Sequence, residues 1–429
     1  MLKFMKKIPA LFLCVCIFVI TTQCKSDDII TVLEEVVLTP NVEVYNANLL
    51  ENSLVLAIEN GGTASYLLDK TGTKVYEWSF ETNLGNDLEL LPDGKLIGMF
   101  KSENPIFSFG GFGGVIKILN IDGTTAWEYE TASANQLAHH DVELLPNGNV
   151  LFLVWEKITA ITAQQQGVNT TVDIYPEVLI EVNPNTNQIE WEWHSWNHII
   201  QDVDSNLPNY GVLSDNPQLI NINYNLAANG DIMHSNGIDF DSDKNVIYMS
   251  INGYSEVWVI DHSTTTTEAS TNIGGNYNKG GNLLYRFGNP ETYNNAFGER
   301  IFFNNHFPNL LENNVPGAGH VLIYMNGNNA NQSTVFELEI PEPFSLQANM
   351  NNEPSIIWSF TDENLFYAKI SGTVRLNNGN TLICEGDYGF WEVTSNNEIA
   401  WKYNGDGNTT FWRCYNYALD SDEIISLGL

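Results

Sequence analysis

The sequence predicts an all-β fold, a six-bladed β-propeller, on three observations. An apolar hairpin strand following a polar turn recurs six times along the chain. Each is followed by an alternating strand that often ends in Asp or Asn, and then by an aromatic strand. Convincing helical periodicity is scarce between them. A small sheet of this kind cannot cover both its faces alone, and radial packing of several such sheets covers them. Two β-sandwiches are the alternative, but they do not predict six matching triplets.

The elements run as follows. Residues 1–24 read as an export signal: Lys3, Lys6 and Lys7 precede an apolar run over 8–20 that is too short to span a membrane as a mature helix. Cys24 stands where a lipoprotein would carry its lipid, followed by Lys25, Ser26, Asp27 and Asp28. The expected location is therefore the cell envelope, in the periplasm or at the outer membrane, with membrane contact only through a lipid anchor. Plain secretion is the alternative. Residues 25–40 read as a tether, and 41–429 as the propeller. The hairpins fall at 49–56, 89–97, 143–151, 239–248, 309–323 and 374–383. Their Asp-Gly and Asn-Gly pairs are turn signals, because such turns require positive φ. The second strands are 66–69, 116–120, 179–183, 257–261, 335–338 and 390–393. The aromatic strands are 75–78, 126–129, 189–193, 284–287, 356–360 and 399–403. Long insertions between Trp155 and Pro176, His194 and Asn229, and His262 and Leu283 are expected in loops. Ring closure falls either to 411–419 or to a strand before Asn46.

Composition narrows the partners. With 52 acidic and 18 basic residues the formal charge is −34, and nucleic acid is a poor partner for such a surface. Cys14 and Cys16 leave with the signal. Cys384 and Cys414 remain, and in an oxidising compartment they could pair.

Three of the eight histidines, His140, His234 and His306, lie a few residues before the apolar core of three hairpin strands. In a propeller such strands line the central channel, so the three imidazoles should converge at one end of it. Asn86 and Ser371 hold similar offsets on other inner strands. Three imidazoles suit either a transition metal or nucleophilic and acid–base chemistry. Other signals point to structure. Residues 241–245 begin like a calcium loop but lack its later glycine and glutamate, so they read as a turn. His194 and His198 sit among tryptophans, as in a packed loop. Residues 110–114 read as a flexible crossing, since no phosphate-loop pattern follows.

The stretches 139–151, 231–236, Ile260 with Asp261, and 411–417 together resemble the bacterial arylsulfate sulfotransferase family, over most of the chain from Tyr66 to Tyr417. The resemblance implies an exported six-bladed propeller with no cofactor. It would move a sulfuryl group from a phenolic sulfate ester to a phenol acceptor without the nucleotide donor PAPS. It also implies a transient sulfohistidine, with His306 as nucleophile and His140 and His234 in support. Asn252 stands where the family carries an arginine that holds sulfate oxygens. Asn236 and Arg375 are the further candidates for substrate binding, and Arg413 is another possible source of charge. No metal is implied. A propeller lipoprotein that only binds an aromatic or sulfated ligand is the second expectation, and a three-histidine metal site the third.

Overall fold

The computed structural model describes residues 36–429, and its compact unit runs from Leu38 to Leu429. The predicted signal, Cys24 and most of the predicted tether lie outside the described residues. The described chain is all-β and propeller-like. Its helices are short, at Ala160–Gln165, Thr266–Ala269 and Asp422–Leu427.

Four blade sheets stand separately. The first orders Phe411–Ala418, Ser53–Glu59, Ala64–Leu68 and Lys74–Ser79 from the inside outward. The second orders Ser235–Asp241, Val246–Ile251, Glu256–Asp261 and Tyr285–Phe287. The third orders Asn305–Leu310, Val321–Met325, Thr334–Glu339 and Ser355–Phe360. The fourth orders Gly372–Arg375, Thr381–Glu385, Gly389–Val393 and Ile399–Asn404, with Val42–Tyr45 added outside. Both candidate closures are thus used, at opposite edges of neighbouring sheets.

The expectation of six separate blades is corrected by the remaining strands. Leu84–Leu90 with its three outer strands, and Gln136–Leu144 with its three, form one eight-stranded sheet, a half-barrel. A single parallel pairing, Asn86 with His140, joins the two halves. Both residues have positive φ, 133° and 56°. The backbone there turns its hydrogen-bonding groups sideways toward the neighbouring inner strand, and the two units merge.

The hairpins form for the reason their turns suggest. At Gly94, Gly148 and Gly379, with φ of 78°, 83° and 88°, the glycine N–H donates back to Leu91, Leu145 and Leu376 respectively. Inner and second strands are buried on both faces, as in Val150–Glu156, where only Glu156 is partly exposed. Several outermost strands, Thr125–Glu130 among them, are largely exposed and carry charges that discourage edge pairing, whereas Tyr285–Phe287 is buried. Apolar side chains fill the spaces between sheets. Leu151 and Trp193 of the half-barrel, for example, belong to one core with Trp258 and Ile260 of the next sheet. Cys384 and Cys414 are buried free thiols.

Candidate active site

A break in strand pairing recurs at one level of the inner strands. Register shifts fall between Leu84 and Leu88, beside His139, between Ser235 and Gly237, between His306 and Asn309, and opposite Ala57–Glu59 of the first sheet. A bulge leaves residues out of the ladder and re-aims their side chains. His140 (φ 56°), His234 (φ 52°) and Phe307 (φ 55°) hold left-handed backbone at these breaks. Strain of this kind persists only where the surrounding structure enforces it, and it clusters at functional sites.

The three predicted histidines meet there. The His140 and His234 rings lie 4.8 Å apart, edge to face. Trp412, from the closing strand, sits between His140 at 5.6 Å and His306 at 6.2 Å. His140 and His306 are buried, and His234 is partly open.

Each imidazole is fixed through Nδ1 by a different partner. His306 Nδ1 is 2.6 Å from Asn326 Oδ1. The Asn326 amide nitrogen donates to the carbonyls of Tyr367 and Ile370. Its oxygen must therefore accept, so His306 carries its proton on Nδ1 and leaves Nε2 with a free lone pair. Burial pushes the His306 pKa down to about 3, with the Asn326 bond only partly opposing it. The ring is neutral at neutral pH. His234 Nδ1 lies 2.5 Å from the Asp231 carboxylate. Burial works against charge on this ring, but the bond to Asp231 and the charges of Asp231 and Glu177 outweigh it and raise the His234 pKa. His140 Nδ1 is 2.7 Å from Nδ1 of His139, whose Nε2 is 2.9 Å from Glu177 Oε2. Burial, then the neighbouring His234, His139, His306 and Arg413, hold the His140 pKa well below the ordinary imidazole value.

The floor is an ion pair. Arg413 donates to both oxygens of Asp141 at 2.9 and 3.2 Å and to the Asn236 carbonyl at 3.1 Å. Asp87 lies 3.4 Å from the same guanidinium, which rests 4.1 Å over the Phe307 ring. Several buried polar atoms near the histidines have no partner among the described residues: Trp412 Nε1, Arg413 Nε and Asn236 Oδ1. Unsatisfied groups are expensive to keep unless a ligand uses them.

Of the predicted binding residues, two are near and one is not. Asn236 and Asn252 both donate their amides to the Asn305 carbonyl, at 2.7 and 3.2 Å, and Asn252 also accepts from Asn304. They hold the backbone immediately before His306. Arg375 belongs elsewhere. It pairs with Glu337 and lines a cavity of about 310 Å3 with Glu89, Glu312 and Glu423. It lies four residues beyond Ser371 on an extended strand, roughly 13 Å further along the channel.

Several site residues escaped the sequence reading. Asn326, Glu177, Trp155 and Trp412 carried no assigned role. The doublet of His139 with His140, and Asp231 three residues before His234, were the available signals. The glycine-rich crossing is also part of the site. Gly111 (φ 82°) accepts from the His140 N–H and from the Asn86 amide, and a Cβ on it would lie 2.0 Å from His140 Nε2. His194 and His198 are structural, as expected. The first bonds to Glu156 and the second stacks on Trp193 while bonding to Asn282 and the Ala269 carbonyl. At 241–245, Lys244 folds back onto Asp241 in a plain hairpin turn. No group of three metal-ligating side chains with suitable geometry occurs among the described residues.

Three solved structures are among those similar to this chain. A protein of unknown function from Bacteroides caccae is 13% identical, over 85% of this chain and 99% of that one, with a TM-score of 0.49. A putative 6-phosphogluconolactonase from Bacteroides fragilis is 10% identical, over 85% and 98%, at 0.42. The β-propeller domain of Myceliophteria thermophila Cps50 (Swd1) is 8% identical, over 86% of each, at 0.37. Likeness this slight says nothing of this chain's chemistry. No curated protein matches it in sequence. The family comparison is decisive where these are not: residues 41–411 match Arylsulfotransferase (ASST), and the chain belongs to that family.

Proposed function

We propose that this protein transfers a sulfuryl group from a phenolic sulfate ester to a phenol through a sulfohistidine on His306, with no nucleotide donor. One observation carries the reading. His306 is a buried neutral imidazole whose Nδ1 is committed to Asn326, which leaves Nε2 as the nucleophile. In the first step Nε2 attacks sulfur and the ester S–O bond breaks, releasing the phenolate. His234, lifted toward the imidazolium by Asp231, donates to the sulfuryl oxygens, a task the family gives to the arginine that Asn252 replaces here. His140 gives a proton to the departing phenolate. In the second step His140 takes the proton of the acceptor phenol, whose oxygen attacks sulfur and frees His306. Splitting one hard transfer into two easier ones is the benefit of a covalent intermediate.

The reading places the protein outside the cytoplasm, tethered through a lipid on Cys24 or secreted. Palmitate labelling that is lost in Cys24→Ala separates the two.

The test is a chromogenic aryl sulfate. Phenol release should rise when an acceptor phenol is added, and intact mass should show one added sulfuryl group that His306→Ala removes. No release above buffer and no adduct across many donors would end the proposal. Asn252 in place of the family's arginine favours a second reading, a propeller that binds an aromatic or sulfated ligand without turnover. Equilibrium binding that His306→Ala leaves unchanged would identify it.

A further inference from the structure

The transfer reading leaves one buried cluster unexplained. Glu177 and His139 are both fully buried, yet neither reaches the channel as the three outer imidazoles do. His139 lies flat against Trp155, with ring centroids 3.7 Å apart. It bridges the Glu177 carboxyl and His140 through its two nitrogens. The other Glu177 oxygen accepts from the Ser235 N–H at 2.8 Å.

Two proton arrangements satisfy both bonds. In one, Glu177 is a carboxylate, His139 carries its proton on Nε2 and His140 on Nδ1. The Nε2 of His140 is then bare. In the other, Glu177 is a carboxylic acid, His139 carries its proton on Nδ1, and His140 carries one on Nε2. The second holds one proton more, and in neither is a ring charged.

We propose that Glu177, His139 and His140 form a proton relay that switches Nε2 of His140 between donor and acceptor. The inference rests on the transfer reading for its use but not for its existence. As the phenolate leaves, it takes the Nε2 proton of His140. The Nδ1 proton of His139 moves to Nδ1 of His140, and the carboxyl proton of Glu177 moves to Nε2 of His139. The acceptor phenol later reverses all three movements. The negative charge rests on Glu177 between the two steps, so no imidazolium forms on His139 or His140, the two rings that burial keeps neutral. Burial likewise favours the protonated form of Glu177. The charged or titratable groups facing the relay are Asp231 and His234 beside Glu177, Asp141 and Arg413 below, and His306 opposite. Glu177 and His139 are positioning residues, and only His140 meets substrate.

Histidine labelled with 15N reads the relay directly in the unmodified protein. Raising the pH should exchange the tautomers of His139 and His140 together, with no imidazolium on either ring, and Glu177→Gln should abolish the exchange. Fixed tautomers, one ring titrating alone, or exchange that survives in Glu177→Gln would each overturn the relay. Kinetics supply a second readout. Glu177→Gln should lose about a hundredfold more rate on phenyl sulfate than on 4-nitrophenyl sulfate, since the poorer leaving group needs the acid. Equal loss on both would overturn it. Coupled exchange in a protein that forms no sulfuryl adduct leaves the relay standing and removes the transfer reading. An adduct on a protein with fixed tautomers does the reverse.

Discussion

At the residue scale the site works by committing one nitrogen of each ring. Asn326 decides which nitrogen of His306 is free, and it does so as an amide, without adding charge. With a pKa near 3, His306 should remain nucleophilic well into the acid range, so adduct formation should show no acid limb from this ring above about pH 4. Asn326→Asp would place a carboxylate against Nδ1 and raise that pKa. The rate of adduct formation in the variant should then fall as pH drops through the neutral range, as rapid-quench mass measurement would show. An unchanged profile would mean that another atom attacks sulfur. The three histidines were legible in the sequence because each sits at a fixed place in its repeat. Asn326 was not, because its link to His306 crosses between strands and depends on a bulge that no local pattern announces.

At the element scale two segments control the site. One is the glycine-rich crossing at 110–114, where Gly111 meets His140. Gly111→Ala combines a Cβ clash with a left-handed φ, at a strain of roughly 1–3 kcal/mol. We expect it to lower melting by a few degrees and to cut transfer at least tenfold. A variant of full activity would mean that the crossing moves freely away from His140. The other is the closing strand Phe411–Ala418, which delivers Trp412 and Arg413 to the channel. Removing only the cation leaves Asp141 and Asp87 buried together without compensation, a change that typically costs about 3–5 kcal/mol. Arg413→Met should therefore unfold more easily, and more so as pH rises. Protonation of Asp87, already favoured by burial despite Arg413, relieves the repulsion at low pH. Stability that is insensitive to pH would show that the pair is not the strand's anchor. The strand triplets were readable because turn chemistry and alternation are local. The fusion of two units into a half-barrel was not, since it follows from a single parallel bridge between residues far apart in sequence.

At the scale of the whole molecule, charge sets the conditions under which the fold is stable. The formal charge of −34 is spread over the chain, but its consequence is concentrated at the end of the channel away from the histidines. There Glu89, Asp239 and Glu312 share a cavity of about 340 Å3. Burial and neighbouring carboxylates raise the pKa of Glu89 to about 7 and of Asp239 to about 8. Elsewhere burial raises Glu353 to about 8 and Glu385 to about 7. In each case the folded value lies above the unfolded one, so the folded protein binds more protons, and stability is lost progressively as pH climbs from about 4.5 to about 8. The buried rings of His139, His140 and His306 act in the opposite sense. Their folded values lie below the unfolded one, so stability is lost as pH falls below about 6.5. The two limbs cross in mild acid. Melting temperature should therefore peak at about pH 5 and decline by several degrees toward pH 8, and added salt should recover part of that decline by screening the carboxylates. A melting temperature that rises steadily from pH 6 to pH 8.5 would contradict the burial of these carboxyls, Glu89 and Asp239 at the end of the channel among them, and with it the arrangement that brings three distant histidines to its other end.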